Sequence, residues 1–320
     1  MAALDALPAM LTVDDVLVDL EAGRSQPLRP ADRLVTFESR RRPTVGGAAF
    51  LRSYLAARIL GRVHPRLARR SLLRLWLTPW VHASTRRRVT DLTADLRPWT
   101  LAHEGHTLRG FTGGRGPTVV LVHGWAGRAA DWRHLATGLI TAGWRVVAPD
   151  LPAHGASDGR ITDVFELSRA AAAVLRHEQP DAVVTHSMGF PVVLGALEQG
   201  VDAPATFVAL APGRRMARAL ARFAAQARLR PALVDQLRRT NQRRFGDDVW
   251  EVLDVDRVLP DLISRGVVVH DATDEDVPLD DGRHIAAHWP GASFVATQGL
   301  GHRRILRDEG VRNVVVDALG

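Results

Sequence analysis

From Thr118 to the end, the chain alternates short unbroken apolar runs with helix-periodic stretches, and few folds accommodate that pattern. Apolar runs fall at 118–122, 144–148, 182–186, 206–210, 266–270 and 293–297, and helical periodicity fills most gaps, at 129–142, 164–177, 188–198, 281–289 and 303–319. A strand that is apolar on both sides must be covered on both faces, and helical crossovers make successive strands parallel. The sequence therefore predicts an α/β fold, with a mostly parallel central sheet and helices on both faces. Ligands of such sheets bind outside the carboxyl ends of the strands, so the residues just after each apolar run are the first to inspect.

Three regions interrupt or precede the alternation. Between 213 and 258 no strand is expected, and three helix-like pieces, 214–228, 231–245 and 247–253, make this a helical cap insertion leaving the carboxyl end of a strand. An insertion there is placed to cover a site. Residues 99–103 and 107–111 flank Glu104-Gly105-His106 and read as a β-hairpin. His103-Glu104-Gly105-His106 is one residue short of the zinc-helix spacing and lies in a turn, so its imidazoles would not share a helical face, and it is read as structural. Ahead of the hairpin, residues 1–98 form an N-terminal helical extension to the domain at 99–320. Thr12 caps a short amphipathic helix, 24–47 reads as a polar linker or strap, and 48–77 as a basic helical pair broken at Pro65.

Composition narrows the chemistry. The chain has no Cys and no Lys, and its 42 basic residues are all Arg. Thiolate nucleophiles, disulfides, Schiff bases and a phosphate-loop lysine are excluded. The positive charge is uneven: residues 1–97 carry 17 Arg against 9 acids, and residues 98–320 carry 25 Arg against 26 acids. No nucleic-acid module accompanies the charge, and no nucleic acid is expected as a partner. The basic helices are read as packing their apolar stripe on the main domain, the alternative being peripheral contact with an anionic membrane surface. The acidic first 23 residues are the reverse of a secretory signal, and no apolar run is long enough to span a bilayer, so a cytoplasmic location is expected. Oligomeric state is left open.

The third of the main apolar runs stops abruptly at Thr185-His186-Ser187-Met188-Gly189, a serine between turn-forming positions with a helix directly after it. This resembles the G-x-S-x-G nucleophile elbow of the α/β-hydrolase fold, with Thr185 where the first glycine stands. Thr185 brings a methyl and a hydroxyl to a tight place, and the strand or the adjacent helix is expected to shift to admit them. Four further stretches resemble the same family, in the same order. His123-Gly124-Trp125-Ala126-Gly127 resembles the oxyanion loop, and Asp150-Leu151-Pro152-Ala153-His154-Gly155-Ala156-Ser157 a loop that carries fold identity, with His154 structural. His270-Asp271-Ala272-Thr273-Asp274-Glu275-Asp276-Val277-Pro278 resembles the acid loop, with Asp271 in place of a glycine. Gly299-Leu300-Gly301-His302-Arg303-Arg304-Ile305-Leu306 resembles the histidine loop.

The resemblance implies roles. Ser187 would be the nucleophile, His302 the general base, and Asp274 the orienting carboxylate, with Asp271 or Asp276 as alternatives for the acid. The peptide N–H groups of Trp125 and Met188 would form the oxyanion hole. Phe190 and the cap residues Met216, Leu220, Phe223 and Trp250 are candidates for an apolar acyl pocket. No metal and no cofactor is expected. A serine at the elbow disfavours haloalkane dehalogenase and epoxide hydrolase chemistry, which in this fold use an aspartate. The expected activity is hydrolysis of a small-molecule carboxylic ester through an acyl-enzyme. Thioester and carbon–carbon hydrolysis and acyl transfer share the triad, and a non-catalytic ligand-binding protein on the same fold is the alternative of another class.

Overall fold

The computed structural model describes residues 33–36, 65–79, 96–227, 229–252 and 254–320. Its strands are β1 (Arg33–Thr36), β2 (Leu96–His103), β3 (His106–Gly113), β4 (Thr118–Val122), β5 (Arg145–Asp150), β6 (Ala182–His186), β7 (Thr206–Leu210), β8 (Arg265–Asp271) and β9 (Ser293–Gln298). They join in one sheet in the order β1-β9-β8-β7-β6-β4-β5-β3-β2. Only β3 runs against its neighbours, pairing antiparallel with β2 and β5, and every other pairing is parallel. The helices are α1 (Pro65–Trp76), α2 (Arg133–Thr141), α3 (Val164–Glu178), α4 (Gly189–Leu197), α5 (Met216–Gln226), α6 (Pro231–Phe245), α7 (Val249–Val252), α8 (Leu279–His288), α9 (Gly301–Arg304) and α10 (Glu309–Leu319).

The central strands are apolar throughout because both of their faces are covered. Val119, Val120, Leu121, Val146, Val147, Val183, Val184, Phe207 and Val208 are all fully buried. On one face Trp132, Leu135 and Leu139 meet Val311 and Val315 of α10. Each such side chain contributes about 1.5–3 kcal/mol by leaving water, so this layer holds the strand ends in place. Helix ends follow local chemistry. Asp163 accepts the Glu166 N–H at 3.0 Å and caps α3, and Asp308 accepts the Val311 N–H at 3.0 Å and caps α10. That second cap corrects one expectation: the helix predicted over 303–319 is broken, with a 3-10 turn at Ile305–Arg307 ahead of Asp308.

One expectation for the N-terminal part also changes. The strap predicted over 24–47 contains a real strand, since Arg33 to Thr36 pairs in parallel with Val295 to Gln298. A four-residue run is too short to show a period, yet the open ladder of β9 offers it partners. The chain divides into two compact units. One unit contains Leu77–Arg214 and Val255–Gly320 together with β1, and so the whole sheet. The other joins α1 to Arg215–Asp254, which carries α5, α6 and α7. Within it Leu72 and Leu75 are buried, and Trp76 meets Phe223 edge-on at 5.2 Å. The apolar stripe of α1 required a partner but did not name one. The helices expected at 12–20 and 48–64 lie outside the described residues.

Candidate active site

The sharp turn after β6 sets the site. Ser187 has φ 53°, a left-handed conformation that costs a non-glycine residue about 1–2 kcal/mol. It is held there by its own backbone: the Ser187 N–H donates to Leu210 O at 3.0 Å, and Ser187 O accepts from Phe190 at 3.1 Å and from Gly213 at 3.2 Å. Helix α4 can start at once because residue 189 is glycine, where a methyl group would meet Val122 O at 2.4 Å. Thr185 leaves the register of the sheet intact. It is fully buried, the pairs Val122 to Thr185 and Thr185 to Ala209 keep β6 in register, and its hydroxyl donates to Val208 O at 3.4 Å.

His302 and Asp274 arrive from two other strand ends. His302 Nε2 lies 2.9 Å from Ser187 Oγ, and its Nδ1 lies 2.7 Å from Asp274 Oδ2. The Asp274 side chain is fully buried, and its Oδ1 accepts the N–H groups of Asp276 at 2.8 Å and Val277 at 2.9 Å. An ionised carboxylate only accepts, so the proton belongs on His302 Nδ1 and leaves Nε2 as the acceptor for the serine hydroxyl. Burial acts to raise the Asp274 pKa, and the imidazoles of His270 and His302 outweigh it, holding the carboxyl well below the usual carboxylate range. Of the three acids in this loop, Asp274 is the one on the imidazole. Asp271 bonds to Thr273, Thr297 and Leu300 instead.

The loop after β4 is built for close approach. A methyl group on Gly124 would sit 2.8 Å from Ser187 Cβ, so only glycine brings this loop against the elbow. Two buried histidines fix its shape. His123 Nε2 accepts the Leu151 N–H at 3.0 Å, and its Nδ1 donates to Gly124 O at 2.8 Å. His154 Nε2 accepts the Ala126 N–H at 3.1 Å, and its Nδ1 donates to Pro152 O at 2.8 Å. The Ala126 N–H is thereby used, whereas those of Trp125 and Met188 have no acceptor among the described residues.

The other residues singled out in the sequence take the following places. Phe190 is fully buried and packs on Phe207 and Trp289 with ring centroids at 5.3 Å and 5.8 Å; it is a core residue, because the first turn of α4 aims it under the sheet's cover. Met216, Leu220, Phe223 and Trp250 belong to the unit of Arg215–Asp254, where all but Phe223 are buried. His103 and His106 face each other at the end of the β2–β3 hairpin. Among the described residues no group of three or more His, Asp or Glu side chains is arranged to hold a metal ion. No helix among the described residues is long and apolar enough to cross a membrane.

Sequence reasoning missed His186. Its Nε2 donates to the backbone carbonyl of His302 at 2.8 Å, and its ring lies 4.7 Å from that of His302. Burial, with the neighbouring His302 second, pushes its pKa well down and keeps it neutral. The signal was its place directly before the serine, where strand alternation points it away from the neighbouring Thr185.

A hydroxyl bonded to an imidazole nitrogen, the ring itself oriented by a buried carboxylate, is an arrangement that can deprotonate the hydroxyl as it attacks a carbonyl. Comparison with known proteins agrees with the architecture. The chain is 38% identical over 100 residues to a pimeloyl-[acyl-carrier protein] methyl ester esterase of Methylococcus capsulatus, 31% of this chain and 38% of that protein. It is 31% identical over 68 residues to an epoxide hydrolase of Caballeronia sordidicola, 21% of each chain. The matched stretches thus cover well under two thirds of these relatives. The solved esterase of Pyrococcus furiosus aligns with a TM-score of 0.58 and 20% identity, over 76% of this chain and 97% of that one, a likeness of fold. A sequence profile described as the alpha/beta hydrolase family matches residues 119–314, more than half of the chain, and the protein belongs to that family.

Proposed function

We propose that this protein is a serine hydrolase that cleaves a carboxylic ester through an acyl-enzyme. The observation that carries the reading is the continuous relay from Ser187 Oγ to His302 Nε2 at 2.9 Å and from His302 Nδ1 to Asp274 Oδ2 at 2.7 Å. Ser187 Oγ attacks the ester carbonyl as His302 Nε2 takes its proton. Asp274 stabilises the imidazolium, and the Trp125 and Met188 N–H groups receive the oxyanion. Collapse of the tetrahedral intermediate expels the alcohol, protonated by His302. Water, deprotonated by the same imidazole, then attacks the acyl-serine, and the acid leaves with Ser187 restored. Similarity to a methyl ester esterase supports the ester reading. The epoxide hydrolase likeness weighs less, because the elbow carries a serine and the match is shorter.

The test is labelling with a fluorophosphonate, together with hydrolysis of 4-nitrophenyl esters of increasing chain length. Wild type should be labelled and turn over the esters, and Ser187→Ala should do neither. Equal labelling of Ser187→Ala, or none of the wild type, would end the proposal.

A further inference from the structure

We infer that Asp271 is a positioning residue, whose buried carboxylate clips the loop bearing Asp274 to the loop bearing His302 and so holds the imidazole between its two partners. The inference rests on the hydrolase reading above. Asp271 is fully buried, and its two oxygens divide their partners between the loops. Oδ1 accepts the Thr273 N–H at 2.9 Å and the Thr273 hydroxyl at 2.6 Å. Oδ2 accepts the Thr297 hydroxyl at 2.8 Å and the Leu300 N–H at 3.0 Å. Thr273 immediately precedes Asp274, and Leu300 stands two residues before His302.

The need for a clip follows from the topology. Strands β8 and β9 deliver the two loops, and their ladder ends at the pair Asp271 and Thr297, with one further backbone bond from the Ala272 N–H to Thr297 O at 2.7 Å. Past that point the side chain of Asp271 does what the sheet no longer does. A buried carboxylate without donors is costly to keep, so the loops must converge on it with two N–H and two O–H groups. Burial opposes its charge, and the hydrogen bonds it accepts, that of the Thr273 hydroxyl first, overcome that and lower its pKa. His186 adds a second tether to the same loop by donating to the His302 backbone carbonyl. The histidine loop is thus held at Leu300 and again at His302, leaving the ring little freedom. The glycine that the family pattern places at position 271 has no atoms for this task.

The experiment compares wild type, Asp271→Asn, Thr297→Val, Thr273→Val and the double variant Asp271→Asn/Thr297→Val, with Ser264→Ala as a remote control that loses a buried hydroxyl bond to Pro204 O. The measurements are the rate of fluorophosphonate labelling and kcat/KM for 4-nitrophenyl butyrate, at a temperature where every variant is folded by circular dichroism. Loss of the clip should slow both in Asp271→Asn by about 10- to 100-fold, the scale of a misplacement near 1 Å. The double variant should be no slower than Asp271→Asn, because both remove the same tether. Ser264→Ala should lower the melting temperature without slowing labelling. Should Asp271→Asn not fold, the two threonine variants, which keep the charge, must still slow labelling. Independently of turnover, the low-field proton resonance of His302 Nδ1–H, assigned by its loss in Asp274→Asn, should broaden or shift in Asp271→Asn or in the threonine variants. Unchanged labelling, fully additive rates in the double variant, or an unmoved resonance would each overturn the inference. A wild type that shows the resonance but resists labelling would defeat the hydrolase reading alone.

Discussion

Acid should destabilise the loop that carries Trp125 through one identifiable group, His154. Its Nε2 accepts the Ala126 N–H at 3.1 Å while its Nδ1–H donates to Pro152 O, so a second proton would set N–H against N–H. Burial, with the nearby His123 second, pushes its pKa down to about 3. In the unfolded chain a histidine titrates near ~6.5. Between those values the unfolded state holds a proton that the native state lacks, so stability is complete above the upper value and falls as pH falls through the window. The slope is about 1.4 kcal/mol per pH unit, and moving from pH 7 to pH 5 removes on the order of 2 kcal/mol. Urea unfolding at both pH values, for wild type and His154→Gln, isolates the effect. Glutamine can offer an oxygen to Ala126 and an N–H to Pro152 without titrating, and His123 and His186 remain in both proteins and cancel. Wild type should lose about 2 kcal/mol more than the variant over that interval. Parallel stabilities would show that His154 is not the buried neutral base described here.

Two other substitutions separate core from site. Phe190→Ala should cost about 3–5 kcal/mol in urea unfolding, the usual cost of emptying an aromatic core position. It should leave the preference among 4-nitrophenyl ester chain lengths unaltered, and an altered preference would return Phe190 to the substrate site. Gly124→Ala brings a methyl to 2.8 Å from Ser187 Cβ and 2.9 Å from His186 O. The variant should fold, by circular dichroism, yet label with fluorophosphonate far more slowly than wild type, and an unimpaired rate would mean that the loop and the elbow are not in contact.

Much of this protein was legible without coordinates, for reasons that can be named. Unbroken apolar runs such as Val119 to Val122 can exist only where both sheet faces are covered, and the elbow, acid and histidine stretches are local turn chemistry, with each signal contained in a few adjacent residues. Periodicity could not say which of three neighbouring carboxylates meets His302, because Asp271, Asp274 and Asp276 differ only in where the loop turns. Nor could it show that the Thr185 hydroxyl bonds to Val208 O in a separate strand, or that Phe190 belongs to the core, which depends on the rotation of α4. Helix α1 announced an apolar stripe but not its partner near Phe223, and β1 was too short to announce itself at all. What the chain's own pattern decides is the central strands from Thr118 onward, their order along the chain and the kinds of residue that end them. The tertiary structure alone decided which side chains share a hydrogen bond, because partners such as Ser187 and His302, or Asp271 and Leu300, are brought within 3 Å by a sheet whose pairing spans residues far apart in the chain.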